Sequence, residues 1–458
     1  MHERTSRAIA RLLFLFCCAV PTLLVVGMIL LTWTPWYHGR VHRNLEQTLL
    51  TRTGLRIQFD SLYQGKPDVW QLTKVRLRDQ ETDREVGKIR EVVRSEDGDE
   101  FVLMLRSPEL QSSELSSVWK LFHDRYLCAP EQLSPKGNRI IASDLTVHGG
   151  LSSLTFTDVQ ARVQQTGKIV EASVHFRTAN QSPSDPPIQV GVRRDRSQVP
   201  PLTRWTLQTG PTALPCSVLA DYLPIMGRFG EEARYRGTLK WEQTPSGYRV
   251  DLSGSRFTQI DLSRLMEGLP RRMTGQRVTL SLARCRLNQQ GKCDSASGHF
   301  TALSGTMDRS LLASLSEHLR LTVLPGLVPP NLATQVQGEV AYDALSVHFA
   351  IAGETLTLTG NVSQLESYAG SGISPRAIVV AGGMTVVGQP DQRLPTIRLA
   401  GAIAPAHSAR VPLSRQTSPL LNFLPSPSRP PTRFAEPEAR VTRLVDADPA
   451  AGTPIKQR

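Results

Sequence analysis

The chain has 458 residues, with 53 Lys and Arg against 41 Asp and Glu, a net charge of +12 and 40% hydrophobic residues. That apolar content supports two or three domains or one large β-domain, while 6% aromatic residues are too sparse for a base-stacking platform. The positive excess is Arg scattered without a dense basic block. This is the pattern of a solvated surface or of attraction to anionic membrane, and with no recognised reading module beside it nucleic acid is not expected as a partner.

Residues 1–11 are basic through Arg4, Arg7 and Arg11, and 12–33 run without a charge. About 20 apolar residues suffice to cross a hydrocarbon core as a helix. A cleaved signal peptide has a shorter apolar region, roughly 7–15 residues, and a small-residue cleavage site. No such site precedes "TPWYHGR". The expectation is an uncleaved transmembrane helix over 12–33, with Pro21 placed to kink it. Arg7, Arg11, Trp33, Trp36 and Tyr37 are its membrane-interface anchors. A basic N-terminus on the cytoplasmic side makes this a single-pass protein of the inner (cytoplasmic) membrane, its body in the periplasm or an equivalent exported space.

Over 34–403 the dominant signal has a period of two, the mark of strands with one face buried and one wet. It appears in "TKVRLRD" (73–79), "DVQARVQ" (158–164), "EASVHFR" (171–177), the hairpin at 238–254, "RVTLSLARC" (277–285), the hairpin at 342–362 and "AIVVAGGMTVV" (377–387). The fold class expected is mainly β: a long, curved antiparallel sheet, groove- or taco-like, built as a meander with polar turns. Its apolar side is assigned to Val159, Val163, Val174, Phe176, Leu239, Trp241, Val250, Leu280, Val347, Phe349, Ile351, Leu356 and Leu358. Short amphipathic helices are expected at 113–127, 215–229, 259–269 and 308–319, with Ser113, Asp261 and Asp308 as N-caps. From 404 to 458 Pro, Ser and Arg dominate and no period survives, which predicts a disordered tail.

Sites of chemistry were sought along the same sequence. No nucleophile elbow, phosphate loop, H-E-x-x-H or dinucleotide fingerprint occurs, so no catalytic residue, metal or cofactor is assigned and the chain is not expected to be an enzyme. His38 and His42 stand at helical i, i+4 spacing without a third ligand and are assigned to interfacial surface. "SEDGDE" (95–100) lacks the closing Glu of a calcium loop and is assigned to a solvated turn between strands. Cys285 and Cys293 flank "RLNQQGK", whose turn would set the sulfurs opposite each other. They are the candidate disulfide, with two free buried thiols as the alternative.

The order of features resembles the AsmA-like proteins of bacterial envelopes. The likeness is carried by "TGLRIQFDSL" (53–62), "DVWQLTKVRLRD" (68–79) and "REVGKIREVV" (84–93) after the apolar span. It returns in "FTQIDLSRLM" (257–266) and "HFAIAGETLTLTGNV" (348–362). It covers roughly 12–400, and its motifs are degenerate alternation patterns. The hairpin cysteines, the Pro-rich tail and the length, short beside the family's large bridging members, depart from it. The resemblance implies a membrane-anchored, open, curved sheet that binds or conveys phospholipid acyl chains along an apolar groove and supports outer-membrane biogenesis. The partners expected are membrane lipids, and other envelope proteins met through sheet edges or the tail. Roughly 16 to 20 strands would give on the order of 75–95 Å of groove. Period-two patterning equally suits a closed β-sandwich, in which case the protein is a scaffold with no lipid ligand.

Overall fold

The computed structural model describes residues 13–403, apart from 33–34, 67–68, 99, 130–136, 150–151, 221–222, 245–246, 289–291, 325–337, 369–372, 382–383 and 390–391. The chain divides into two units, Met1–Pro425 and Ser426–Arg458. The second unit, and with it the whole expected tail at 404–458, lies outside the described residues, as do Arg7, Arg11, Trp33 and the side chain of Trp36.

In chain order the first strands are β1 (Leu55–Gln58), β2 (Ser61–Lys66), β3 (Val69–Asp79), β4 (Glu85–Asp97) and β5 (Glu100–Gln111). Then come β6 (Gly137–Gly149), β7 (Ser152–Thr166), β8 (Ile169–Thr178), β9 (Ile188–Asp195) and β10 (Leu202–Gln208). The short β11 (Leu214–Pro215) and β12 (Arg234–Arg236) precede β13 (Thr238–Thr244), β14 (Gly247–Asp251) and β15 (Ser255–Thr258). Next are β16 (Gln276–Leu287), β17 (Cys293–Asp308), β18 (Thr322–Leu324), β19 (Glu339–Ala352) and β20 (Thr355–Gly360). The last are β21 (Ala377–Ala381), β22 (Met384–Val387) and β23 (Arg393–Pro395).

All of these belong to one open sheet. Successive pairings run β3–β4–β5–β6–β7–β8–β9–β10 and on through β13–β14–β16–β17–β19–β20. At ~4.8 Å per strand this is a contour of about 60 Å, shorter than the sequence-based figure. Both β1 and β2 pair with β3, and β23 pairs with β20.

Every pairing is antiparallel except β5–β6, which is parallel, so the chain is not the uninterrupted antiparallel meander expected. Parallel neighbours need a crossover of a dozen residues or more, here carrying a helix. The helical segment predicted at 113–127 sits in that connection, as a 3-10 turn (Ser112–Glu114), an α-helix (Leu115–Phe122) and a π turn (His123–Leu127).

Helices are numbered α1 (Val20–Thr32), α2 (Pro35–Thr53), α3 (Leu115–Phe122), α4 (Leu262–Leu265), α5 (Arg309–Leu319) and α6 (Ile397–Ile403). The segment predicted at 215–229 forms two 3-10 turns, Cys216–Leu219 and Pro224–Phe229. Of the predicted N-caps only Asp261 acts as one, accepting from the Ser263 and Arg264 backbone N–H groups at 2.9 and 3.3 Å. Ser113 lies inside the 3-10 turn before α3 and caps nothing. Asp308 turns its carboxylate away from α5 to accept from the Arg272 N–H at 2.7 Å, because β17 ends beside that segment.

Near the N-terminus the helix expected over 12–33, with its kink at Pro21, is a π turn (Leu15–Ala19) followed by α1. Pro21 has no N–H to donate back along the helix, and the Val20 N–H reaches Leu15 O instead. Among the described residues no helix is long and apolar enough to cross a membrane. The segment is nonetheless apolar all round and exposed, with Phe14, Leu23 and Met28 at 67%, 70% and 67%.

The sheet bends along defined lines. Lys74, Ser107 and Asp158 adopt positive φ (49°, 46° and 51°) inside β3, β5 and β7. The register sets Lys74 and Ser107 on either side of Arg90 of β4, and Asp158 against Ser143 of β6, one residue out of step across the β5–β6 pair. Residues of this kind interrupt the ladder, bend the strand and increase its twist. Arg277 and Ser304 (φ 48° and 44°) lie beside a register shift between β16 and β17. A non-glycine residue held in this region costs about 1 kcal/mol. Ser107→Gly is therefore expected to raise unfolding stability by up to about 1 kcal/mol, and Ser107→Val to lower it, by urea denaturation.

Candidate functional site: the apolar face of the sheet

The register converts local alternation into long apolar rows on one face. From β7 to β16 the directly opposed residues are Val163, Ala172, Val192, Trp205, Trp241, Val250 and Leu287. From β3 to β7 they are Leu72, Val92, Leu105, Ala142 and Val159. From β12 to β19 they are Tyr235, Phe257, Leu280, Phe300 and Val347. Cross-strand apolar pairs each contribute roughly 0.2–1 kcal/mol, so the rows also hold the sheet together.

The residues assigned to this face from sequence come together on it. All but Val163 belong to one continuous apolar cluster, and Val163 belongs to a neighbouring one built on Val170 and Val192. Val159, Leu239, Val250, Ile351 and Leu356 are buried. Val163, Val174, Phe176, Trp241, Leu280, Val347, Phe349 and Leu358 are half-buried. Val190, Val192, Trp205 and Leu207 are further members that the sequence reading missed. The signal was present as alternation in "IQVGVRRD" and "LTRWTLQ".

Helices cover parts of this face. Leu262 of α4, Leu311 and Leu319 of α5, and Ala400 and Ala402 of α6 join the main cluster, together with Met226 and Phe229 of a 3-10 turn. Trp119 of α3 packs edge-on to Trp205 with ring centroids 3.6 Å apart at 62°. Leu45 and Leu49 of α2 pack near Phe59, Val75 and Ile89, and the His42 ring lies 4.7 Å from Phe59. No second sheet faces the first among the described residues.

The candidate disulfide is corrected. Cys285 opposes Ala296 and Cys293 opposes Leu287, because the ladder shifts between Arg286 and Leu287. The sulfurs are thus diagonal neighbours, and both thiols are free and buried. Burial pushes the Cys285 thiol up to about 12 and the Cys293 thiol up to about 11. Both should resist alkylation in the folded protein at neutral pH and react fully on denaturation without reductant. Mass spectrometry after labelling reads this, and a linked pair inert until reduced would contradict it.

A second cluster, His123, Asp124 and Cys128, brings its ligand atoms within 4.8 Å of one another. His123 Nδ1 lies 2.9 Å from Asp124 Oδ1, and Arg194 Nη1 lies 3.4 Å from His123 Nε2. Cys128 Sγ is nearly equidistant from the two ring nitrogens, at 3.7 and 3.8 Å. It sits beside the ring, away from the in-line position a nucleophile shares with its base. The guanidinium opposes a cation and occupies the second nitrogen, so the imidazole is satisfied structurally. No family model and no curated protein matches the chain.

Proposed function

We propose that the chain binds the acyl chains of phospholipids along the apolar face of its sheet, as a membrane-associated envelope protein of AsmA-like type. The observation that carries this reading is the run of opposed apolar residues from β3 to β20, which helices cover only in part and which leaves Trp241, Val347, Phe349 and Leu358 half-accessible. Each methylene taken out of water contributes about 0.8 kcal/mol. An acyl chain laid across four or five strands therefore gains substantially without any catalytic group.

In this reading the exposed apolar segment at 13–32 attaches the protein to the inner membrane, its π turn lying at membrane depth, and the sheet carries lipid in the exported space for outer-membrane biogenesis. The Arg and Thr of the opposite face keep it in water. Trp205 and Trp241, directly opposed on the apolar face, report occupancy. In a Trp33→Phe, Trp36→Phe background of the full chain, phospholipids brominated along the acyl chain should quench the remaining tryptophan emission. Unbrominated lipids should not. Equal emission with both lipids would reject the proposal and favour a scaffold role.

A further inference from the structure

The polar face carries an unassigned feature that the register creates. Reading across β12, β15, β16, β17, β19 and β20, the directly opposed residues are Arg236, Arg256, Ser281, His299, His348 and Thr359. Two guanidiniums, two imidazoles and two hydroxyls thus share one transverse row. All six line a cleft of about 710 Å³, and no acidic side chain lines it among the described residues.

Several Arg side chains elsewhere on the sheet are neutralised by neighbours. Arg193 meets Glu171 at 3.5 Å, Arg204 meets Glu242 at 2.7 Å and Arg286 meets Asp251 at 3.7 Å. Arg236 and Arg256, by contrast, oppose each other and make no ion pair or hydrogen bond with a described residue. Like charges directly opposite across a strand pair are destabilising. The imidazoles are similarly opposed, stacked with centroids 4.5 Å apart at 22°. His299 is held in place by the Asn361 Nδ2 donor at 3.2 Å from its Nε2 and by Ser346 Oγ at 2.8 Å from the same nitrogen. Burial, then the His348 ring beside it, lowers the His299 pKa. The permanently charged groups of this row are the two opposed guanidiniums.

We infer that this cleft binds a tetrahedral oxyanion of the phosphate class, held by the Arg236 and Arg256 guanidiniums with the Ser281 hydroxyl, next along the row, as a further donor. A guanidinium offers paired donors at a spacing that fits two phosphate oxygens. An anion between the two would convert their repulsion into attraction. The Ser281 hydroxyl beside Arg256 supplies a donor without adding a fixed charge. The site lies on the face opposite the apolar one, so it stands or falls independently of acyl-chain binding. Its ligand is either a soluble phosphate ester or the phosphate of a lipid headgroup.

The test is equilibrium binding of radiolabelled inorganic phosphate to the purified full chain, at matched ionic strength in chloride. Saturable binding is expected, weakened roughly tenfold or more by Arg236→Gln or Arg256→Gln, since a charged hydrogen bond is worth about 1.5–3 kcal/mol. Arg204→Gln, on the same face but outside the cleft, should leave it unchanged. Both Arg side chains are exposed, and unchanged thermal unfolding verifies that the variants fold. Displacement separates the sources: glycerol 3-phosphate competing as well as dihexanoyl phosphatidate identifies a soluble ester, and phosphatidate competing better identifies a headgroup. Phosphate retained no better than chloride, or retained equally by both cleft variants, would overturn the assignment.

Discussion

Backbone pairing register is the constraint on which everything else in this protein depends. A strand with apolar residues at every second position has a greasy side, but that side becomes a surface only when each neighbour is set in step with it. Here the step is kept in overlapping blocks, from β3 to β7, from β7 to β16 and from β12 to β19. Val163, Val192, Trp205, Trp241 and Val250 come from five different strands and fall on one row. A one-residue slip at any of those ladders would send the next strand's apolar set to the wet side. The same register gathers Arg236, Arg256, His299 and His348 on the other face. The two surfaces are consequences of one pairing scheme.

Where the register is interrupted, the sheet changes direction. The positive-φ residues Lys74, Ser107 and Asp158 lie close to where β5 and β6 pair in parallel. The crossover that the parallel pair requires brings α3 onto the apolar face, where Trp119 meets Trp205. Curvature, crossover and partial coverage of the apolar face are therefore linked physically. An open sheet of this width with no second sheet against it needs such local covers, since its wholly uncovered apolar area would exceed what a monomer in water carries.

Local patterns were legible in the sequence and long-range ones were not. The hairpin of β19 and β20 was readable because Leu345, Val347, Phe349 and Ile351 alternate with small or polar residues and Gly353 supplies the turn. The apolar side of each strand followed from the same rule, which is why the residues assigned to it converge. Cap assignments failed where tertiary demands competed: Asp308 has one carboxylate, and the Arg272 N–H takes it. The cysteine pair failed because a register shift next to the turn cannot be read from spacing. The disturbance expected at Pro21 of the 12–33 segment takes the form of a π turn just upstream, where Pro21 offers no backbone donor. The basic row of the polar face was invisible because its six members are spread over more than a hundred residues and meet only through ladders that composition does not specify.

The central claim is that acyl chains lie against the partly covered apolar face. Photo-crosslinking with a phospholipid bearing a diazirine on its acyl chain, followed by peptide mapping of the full-length protein, examines it most directly. The account predicts adducts on β13, β17, β19 and β20, at or beside Trp241, Phe300, Phe349 and Leu358. Adducts confined to residues 13–32, with the sheet unlabelled, would contradict it.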